Sequence, residues 1–313
     1  MDKSEPVVIT GAAGLVGQNL IALLKFQGFS NLVAIDKHSA NSKTLTDLHP
    51  DVRLIQADLA EPGSWEYAFQ GAGAIVLNHA QITALEERLF IRNNVIATSN
   101  VLTAARRQNI PYIVHISSSV VNSLAHDFYT ESKKAQEKLV VESGIPSCVL
   151  RPTLMFGWFD RKHLGWLARF MRLTPIFPIP GPGRYLRQPL YVKDFCEVIA
   201  ACLVEPKPGT TFNISGQERI DFIDLIHWVV EAVHARTHVV RIPYSLFAFL
   251  LAVYAMFDRN PPFTTKQLQA LVTPDVFEVI DWPSIFSVRA TPLREALRET
   301  FQHPTYSKVV LEL

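Results

Sequence analysis

Short apolar runs alternate with helix-periodic stretches along the first half of the chain. VVIT (7–10), NLVAID (31–36), DVRLIQADL (51–59), AIVLNHA (74–80), PYIVHISSS (111–119) and SCVLRPT (147–153) read as strands. Between them NLIALLKFQGF, SWEYAFQGA, NNVIATSNVLTAARRQNI (93–110) and YTESKKAQEKLVVESGI (129–145) read as helices. Most of these strands are apolar throughout rather than at every second position. Such runs are buried on both faces, and strands separated by helices pair in parallel. The pattern predicts an α/β fold: a doubly wound parallel sheet with helices on both sides.

After Gly157 the texture changes. WFDRKHLGWLARFMRLTPIFPIPGPGRYLRQPL is rich in Pro, Gly, Arg and aromatics, and predicts a helix followed by an irregular functional loop. VKDFCEVIAACLVEP (192–206) predicts a helix and TTFNIS (210–215) a strand, while from Ile220 onward the chain reads as helical or irregular. The expected division is a first domain of residues 1–155 plus 191–216, and a smaller, mostly helical lobe of 156–190 plus 217–313.

Composition narrows the functional classes. The chain has 313 residues, 48% hydrophobic and 19% charged, enough for one large core and a lobe. With 30 basic against 29 acidic side chains and no basic run, nucleic acid is not an expected partner. Cys148, Cys196 and Cys202 form neither a zinc spacing nor a disulfide framework. The ten histidines form no His/Cys cluster, so no metal is expected. MDKSEPVVITGAAG runs from charged residues straight into a strand without a secretory leader pattern, and a cytoplasmic setting is expected. IPYSLFAFLLAVYAMF (242–257) is apolar but shorter than the about 20 residues that span a bilayer. It reads as a buried or interface helix, with peripheral membrane contact as the alternative.

Candidate chemistry begins at Gly11, Gly14 and Gly17, a G-x-x-G-x-x-G between a strand and a helix. There a tight turn and close backbone approach let a pyrophosphate sit over the helix N-terminus. Asp36 closes the next strand and can accept both ribose hydroxyls of an adenosine, which favours NAD over NADP. Lys37, His38 and Lys43 lie close enough to accommodate a 2′-phosphate instead. Asp58 and Leu59 end the third strand, where an adenine would lie. Tyr129 and Lys133 are four apart in a predicted helix, about 6 Å along its axis. An ammonium there favours the phenolate and makes the tyrosine a usable acid or base.

In this order the motifs resemble the extended branch of the short-chain dehydrogenase/reductase superfamily, and within it the NAD-dependent epimerase/dehydratase group acting on nucleotide sugars. The 3β-hydroxysteroid dehydrogenase-like members are also similar. The resemblance implies a Rossmann-type cofactor domain, a substrate lobe and a homodimer built on the helices 93–110 and 129–145. TGAAGLVG resembles the branch's glycine motif, which adds Leu15 and Val16 to the cofactor contacts. NHAQ (78–81) is similar to the motif beneath the nicotinamide ribose, implicating Asn78 and Ala80, with Gln81 on the substrate side. Asn94-Val95 with Thr98 and Asn100 resembles the N-V-x-G-T-x-N helix, and RPTLMFG (151–157) the R-P-x-x-V-Y-G, which implicates Pro152. Tyr129 and Lys133 fall on the catalytic dyad, with Ser118 or Ser119 as the serine. Arg187 falls where nucleotide-sugar enzymes meet a diphosphate.

Two departures matter. Ser118 and Tyr129 are 11 residues apart, about half the separation in similar sugar-modifying enzymes. Val120 and Val121 stand where dehydratases have Asp-Glu, which argues against a 4,6-dehydratase. The implied reading is an NAD-dependent nucleotide-sugar epimerase with Tyr129 as acid/base, Lys133 lowering its pKa and Ser118 orienting the substrate hydroxyl. One alternative is a dehydrogenase or ketoreductase of a sugar, steroid or lipid-like alcohol or ketone. The other is a non-catalytic nucleotide-binding subunit.

Overall fold

A computed structural model describes residues 1–124, 126–257, 268, 272 and 277–312. Ala125 of the short loop before Tyr129, and the remaining residues of 258–276 and 313 in the second lobe, lie outside the described residues. Six strands come from the first half: β1 (Val7–Thr10), β2 (Leu32–Asp36), β3 (Arg53–Gln56), β4 (Ala74–Leu77), β5 (Ile113–Ile116) and β6 (Ser147–Pro152). Four more follow, β7 (Met155–Phe156), β8 (Ile176–Pro180), β9 (Leu186–Arg187) and β10 (Leu190–Tyr191), and then β11 (Thr210–Ile214). The main sheet has seven strands in the order β11-β6-β5-β4-β1-β2-β3, and all its pairs are parallel. This is the Rossmann-type sheet. Strand order reverses between β1 and β4, so a crevice opens beyond their C-terminal ends.

The unbroken apolar runs have a simple cause. Along β1, Val7 and Ile9 enter the core shared with helices α1 (Leu15–Phe26) and α7 (Val192–Val204), while Val8 enters the core on the opposite face. That second core is built with α4 (Ala97–Arg107) and α5 (Phe128–Val141). Val101, Leu102 and Val140 are buried in it, with Leu139 packed alongside. Val101, Leu102 and Val140 are therefore taken by the chain's own sheet.

The second lobe has its own core, where Leu164, Ala168 and Met171 of α6 (Leu164–Leu173) meet Phe222, Ile226 and Val229 of α8 (Phe222–Val233). The sequence reading missed β12 (Ile220–Asp221) and β13 (His238–Ile242). β13 pairs in parallel with β8, whose Pro178 and Pro180 argue against a strand except in a narrow two-stranded ribbon. The apolar segment at 242–257 thus begins as a strand end and continues as α9 (Tyr244–Phe257). No helix among the described residues is long and apolar enough to cross a membrane. One stretch assigned to the lobe sits elsewhere: Trp282 and Phe286 of α10 (Trp282–Phe286) join the sheet core, and the Trp282 indole donates to Ser215 O at 2.8 Å.

Candidate active site

The glycine turn fits a dinucleotide. Gly11 has φ +63°, and a Cβ there would lie 2.7 Å from His79 Cα. A Cβ on Gly17 would lie 2.4 Å from Ala12 O, so only glycine lets α1 pack this close to the turn. Above Gly14 the space is open apart from Gly11 O, and the α1 N-terminus has no side-chain cap. Its first N–H groups and dipole are left to an anion, and Leu15 and Val16 supply two of them. Asp36 is already aimed at this turn, accepting Ala13 N–H and His38 N–H, each at 2.9 Å.

Asp58 is tied differently from expectation. It accepts from Arg92 at 2.6 Å and from Ala60 N–H at 3.0 Å, with Lys37 at 3.7 Å. Burial pushes this carboxyl up, but these bonds and cations together hold it below the usual range. The Leu59 side chain enters the core and its carbonyl accepts from Asn100, so its side chain is not available to an adenine. Arg92 is bound to Asp58, and Lys37 lies near Asp58 while donating to Asn93 at 2.6 Å.

A buried polar chain underlies the crevice. Thr10 Oγ1 meets His79 Nδ1 at 2.9 Å, and Thr98 Oγ1 meets His79 Nε2 at 3.1 Å. Burial, with Lys133 and Lys37 nearby, pushes His79 down to about 3. It is a neutral structural histidine. Asn78 braces the turn by donating to Gly11 O at 3.1 Å, whereas Ala80 is exposed. Pro152, buried, ends β6. Asn94 lies in a π-helical stretch (Ile91–Ile96) and is fully buried. Its amide holds both backbone groups of Gln81, at 2.6 and 3.1 Å, and Ser132 Oγ at 2.9 Å. The Gln81 side chain is tied to Thr83 O and Asn93.

Ser118, Tyr129 and Lys133 converge where β5 ends and α5 begins. Asp127 caps α5 by accepting from Thr130 N–H and Oγ1, and Phe90 packs at 6.5 Å between ring centroids against Tyr129. Burial raises the Tyr129 phenol above 10, and a side-chain hydrogen bond with Ser118 pulls it back. Ser118 thus opposes burial at the phenol, while Ser119 begins a short 3-10 turn (Ser119–Asn122). Lys133 is 1% exposed, and its ammonium donates to Ile116 O at 3.0 Å and to Gln136 Oε1. Burial lowers it to about 7, opposed by Glu137. At Tyr129 the group opposing burial is Ser118, and the lysine is directed at the strand end and at Gln136. One of its three donors remains for a ribose or the phenol.

Several residues escaped the sequence reading. Gln136, one turn beyond Lys133, links it to Thr98 Oγ1 at 2.9 Å and His79 O at 3.2 Å. Glu137 accepts from Ser117 and from both Arg151 Nε and Nη2, and Arg151 also reaches Asn122 at 3.0 Å. Their signal was the polar face of α5 at positions 132, 133, 136 and 137. Arg187 lies elsewhere: its guanidinium stacks over Tyr185 at 5.2 Å and Phe222 at 5.8 Å and donates to Leu186 O. It therefore packs against two rings of the lobe.

Comparison with known proteins agrees with this geometry. The model of the NAD dependent epimerase/dehydratase family matches residues 7–215. A dTDP-glucose 4,6-dehydratase of Streptomyces griseus is 26% identical over 258 residues, covering 73% of this chain and 79% of that protein. A 3β-hydroxysteroid dehydrogenase/Δ5→4-isomerase of Mycobacterium tuberculosis is 24% identical, covering 75% of this chain and 71% of that protein. The fold is shared with the UDP-glucose 4-epimerase of Thermotoga maritima solved with UDP-glucose, at TM-score 0.75 and 16% identity over 95% of this chain and 98% of that one.

Proposed function

Because this chain belongs to the NAD dependent epimerase/dehydratase family of enzymes, we propose that it is an NAD-dependent epimerase of a nucleotide sugar. The observation that carries the reading is the convergence of Ser118, Tyr129 and Lys133 beside the crevice that the glycine turn and Asp36 suit to a dinucleotide. The glycine turn and Asp36 would hold NAD, which would supply the acceptor and then the donor of the hydride at the carbinol carbon. Tyr129 takes the hydroxyl proton as the ketone forms and gives it back as the alcohol is restored. Ser118 holds the reacting oxygen and, through its bond to the phenol, favours the phenolate. Lys133, anchored on Ile116 O and Gln136, presents its remaining N–H to the ribose or phenol. The sugar-nucleotide class is supported by the likeness to UDP-glucose 4-epimerase along nearly the whole chain.

The test is to incubate the protein with single UDP-hexoses or dTDP-hexoses and follow the sugar proton signals by NMR. Inversion at one carbinol centre without net change in NADH absorbance supports the reading. Stoichiometric NADH formation with a released keto product replaces it with a dehydrogenase, and loss of water from the sugar replaces it with a dehydratase.

A dehydrogenase or ketoreductase of a steroid or lipid-like alcohol is the second reading, favoured by α9. Tyr244, Leu246, Phe249 and Leu250 are exposed there, an apolar surface that suits a lipid-like substrate or a membrane surface. Turnover of a sterol with added NAD, and none of any nucleotide sugar, decides for it.

A further inference from the structure

Residues 157–165 form an arch between α1 and the loop after β4. One foot stands on α1: Trp158 O accepts from Asn19 Nδ2 at 3.0 Å, and Trp158 and Phe159 pack together beside Leu15 and Ala22. The other foot stands on the loop after β4, where Lys162 Nζ donates to Thr83 Oγ1 at 3.0 Å. α1 follows β1, and β1 pairs with β4, so these feet lie on opposite banks of the switch point. Four peptide steps separate Trp158 from Lys162, a reach of at most about 14 Å.

The arch is held stiff. Gly157 has φ +154°, and a Cβ there would lie 2.2 Å from Val192 Cγ1; Phe159 has φ +69°. The buried Asp160 carboxylate accepts from the N–H groups of Lys162, His163 and Gly165, each at 3.0 Å. Arg169 holds the carbonyls of Asp160 and Arg161. Asp160 is thus turned into its own backbone, and the cations beside it are left over. Arg161 donates to Leu311 O at 3.2 Å. Lys162 is held below its ordinary pKa by burial and by Arg161, and among the described residues its ammonium pairs with no carboxylate.

We propose that Lys162, with Arg161 beside it, clamps a diphosphate bound in the crevice, the Thr83 hydroxyl occupying the place of a phosphate oxygen in the ligand-free protein. A lysine suits this task because a point charge on a flexible stem follows a phosphate without a fixed fork geometry. Two sources supply the chemistry: the pyrophosphate of the cofactor, and the diphosphate of a nucleotide sugar, the latter resting on the function proposed above.

Titration calorimetry of the full chain with NAD and separately with UDP tests the clamp. Lys162→Gln is expected to weaken at least one of them by about tenfold and to flatten its salt dependence, while Lys162→Arg retains most of the affinity. A loss confined to NAD places the clamp on the cofactor, a loss confined to UDP places it on the substrate, and a loss on both means it serves both. Equal affinity of wild type and Lys162→Gln for every nucleotide that the wild type binds overturns the clamp. A wild type that binds NAD but not UDP overturns the nucleotide-sugar reading and leaves the NAD comparison to decide the clamp. A wild type that binds neither overturns both.

Discussion

The burial of Lys133 has a measurable thermodynamic consequence. Its ammonium is enclosed, and the pKa falls from an ordinary value near 10.5 to about 7. An unfolded lysine keeps its proton to about pH 10. Between pH 7 and 10 the unfolded chain therefore binds more protons at this residue than the native one, and stability rises with pH. The full shift corresponds to roughly 5 kcal/mol, and the part realised between pH 7 and 9 to about 2 kcal/mol. Below pH 7 the native lysine is charged as well and the slope vanishes. Lys133→Met removes the titrating group while keeping an unbranched stem. Urea unfolding of wild type and variant at pH 6, 7, 8 and 9 gives the difference curve. His79, near 3, and His115, well below its ordinary value, do not titrate in this window, and the subtraction removes groups common to both proteins. The wild type should gain about 2 kcal/mol relative to Lys133→Met from pH 7 to 9. Parallel curves would refute the claim that a desolvated lysine sits under the active centre.

Tyr129→Phe should lower turnover by about 10²- to 10⁴-fold while leaving NAD affinity nearly unchanged, as steady-state kinetics and calorimetry will show. Since burial raises the Tyr129 phenol, the rate of alcohol oxidation should climb with pH above 7, and Ser118→Ala, which removes the opposing hydrogen bond, should move that climb to higher pH. Gly17→Ala drives a methyl against Ala12 O, so it should abolish measurable NAD binding by fluorescence titration and lower the melting temperature. Glu137→Gln weakens the anchor of Arg151 and Ser117 and should cost about 1–3 kcal/mol in urea unfolding, an effect that Arg151→Met alone should approach.

Much of the site was legible before any coordinates. The glycine turn and Asp36 are local: three glycines and one strand-ending carboxylate serve a backbone geometry that a dozen residues specify. Tyr129 and Lys133 are likewise one helical turn apart, and their spacing survives whatever the rest of the chain does. The choice between Ser118 and Ser119 was not local, because it depends on where β5 stops and the 3-10 turn begins relative to α5. Gln136 and Glu137 were hidden for the same reason. Their roles come from partners on β4, α4, β5 and β6, brought together by strand order alone.

Arg187 and Lys162 mark the boundary most sharply. Both lie in the Pro-, Gly- and Arg-rich stretch after Gly157, where periodicity offers no register and any arginine can be drawn toward an anion. Chain position alone favoured Arg187. The folded protein stacks that guanidinium on two rings of the lobe and carries the less conspicuous Lys162 across to Thr83. Hydrophobic periodicity and local spacing determined the sheet, its helices and the dyad, because those depend on interactions within a few residues. Where Lys162 is carried depends on contacts between segments tens of residues apart, and the surroundings of Tyr129 depend on how β5, its turn and α5 meet. Only the tertiary structure could decide them.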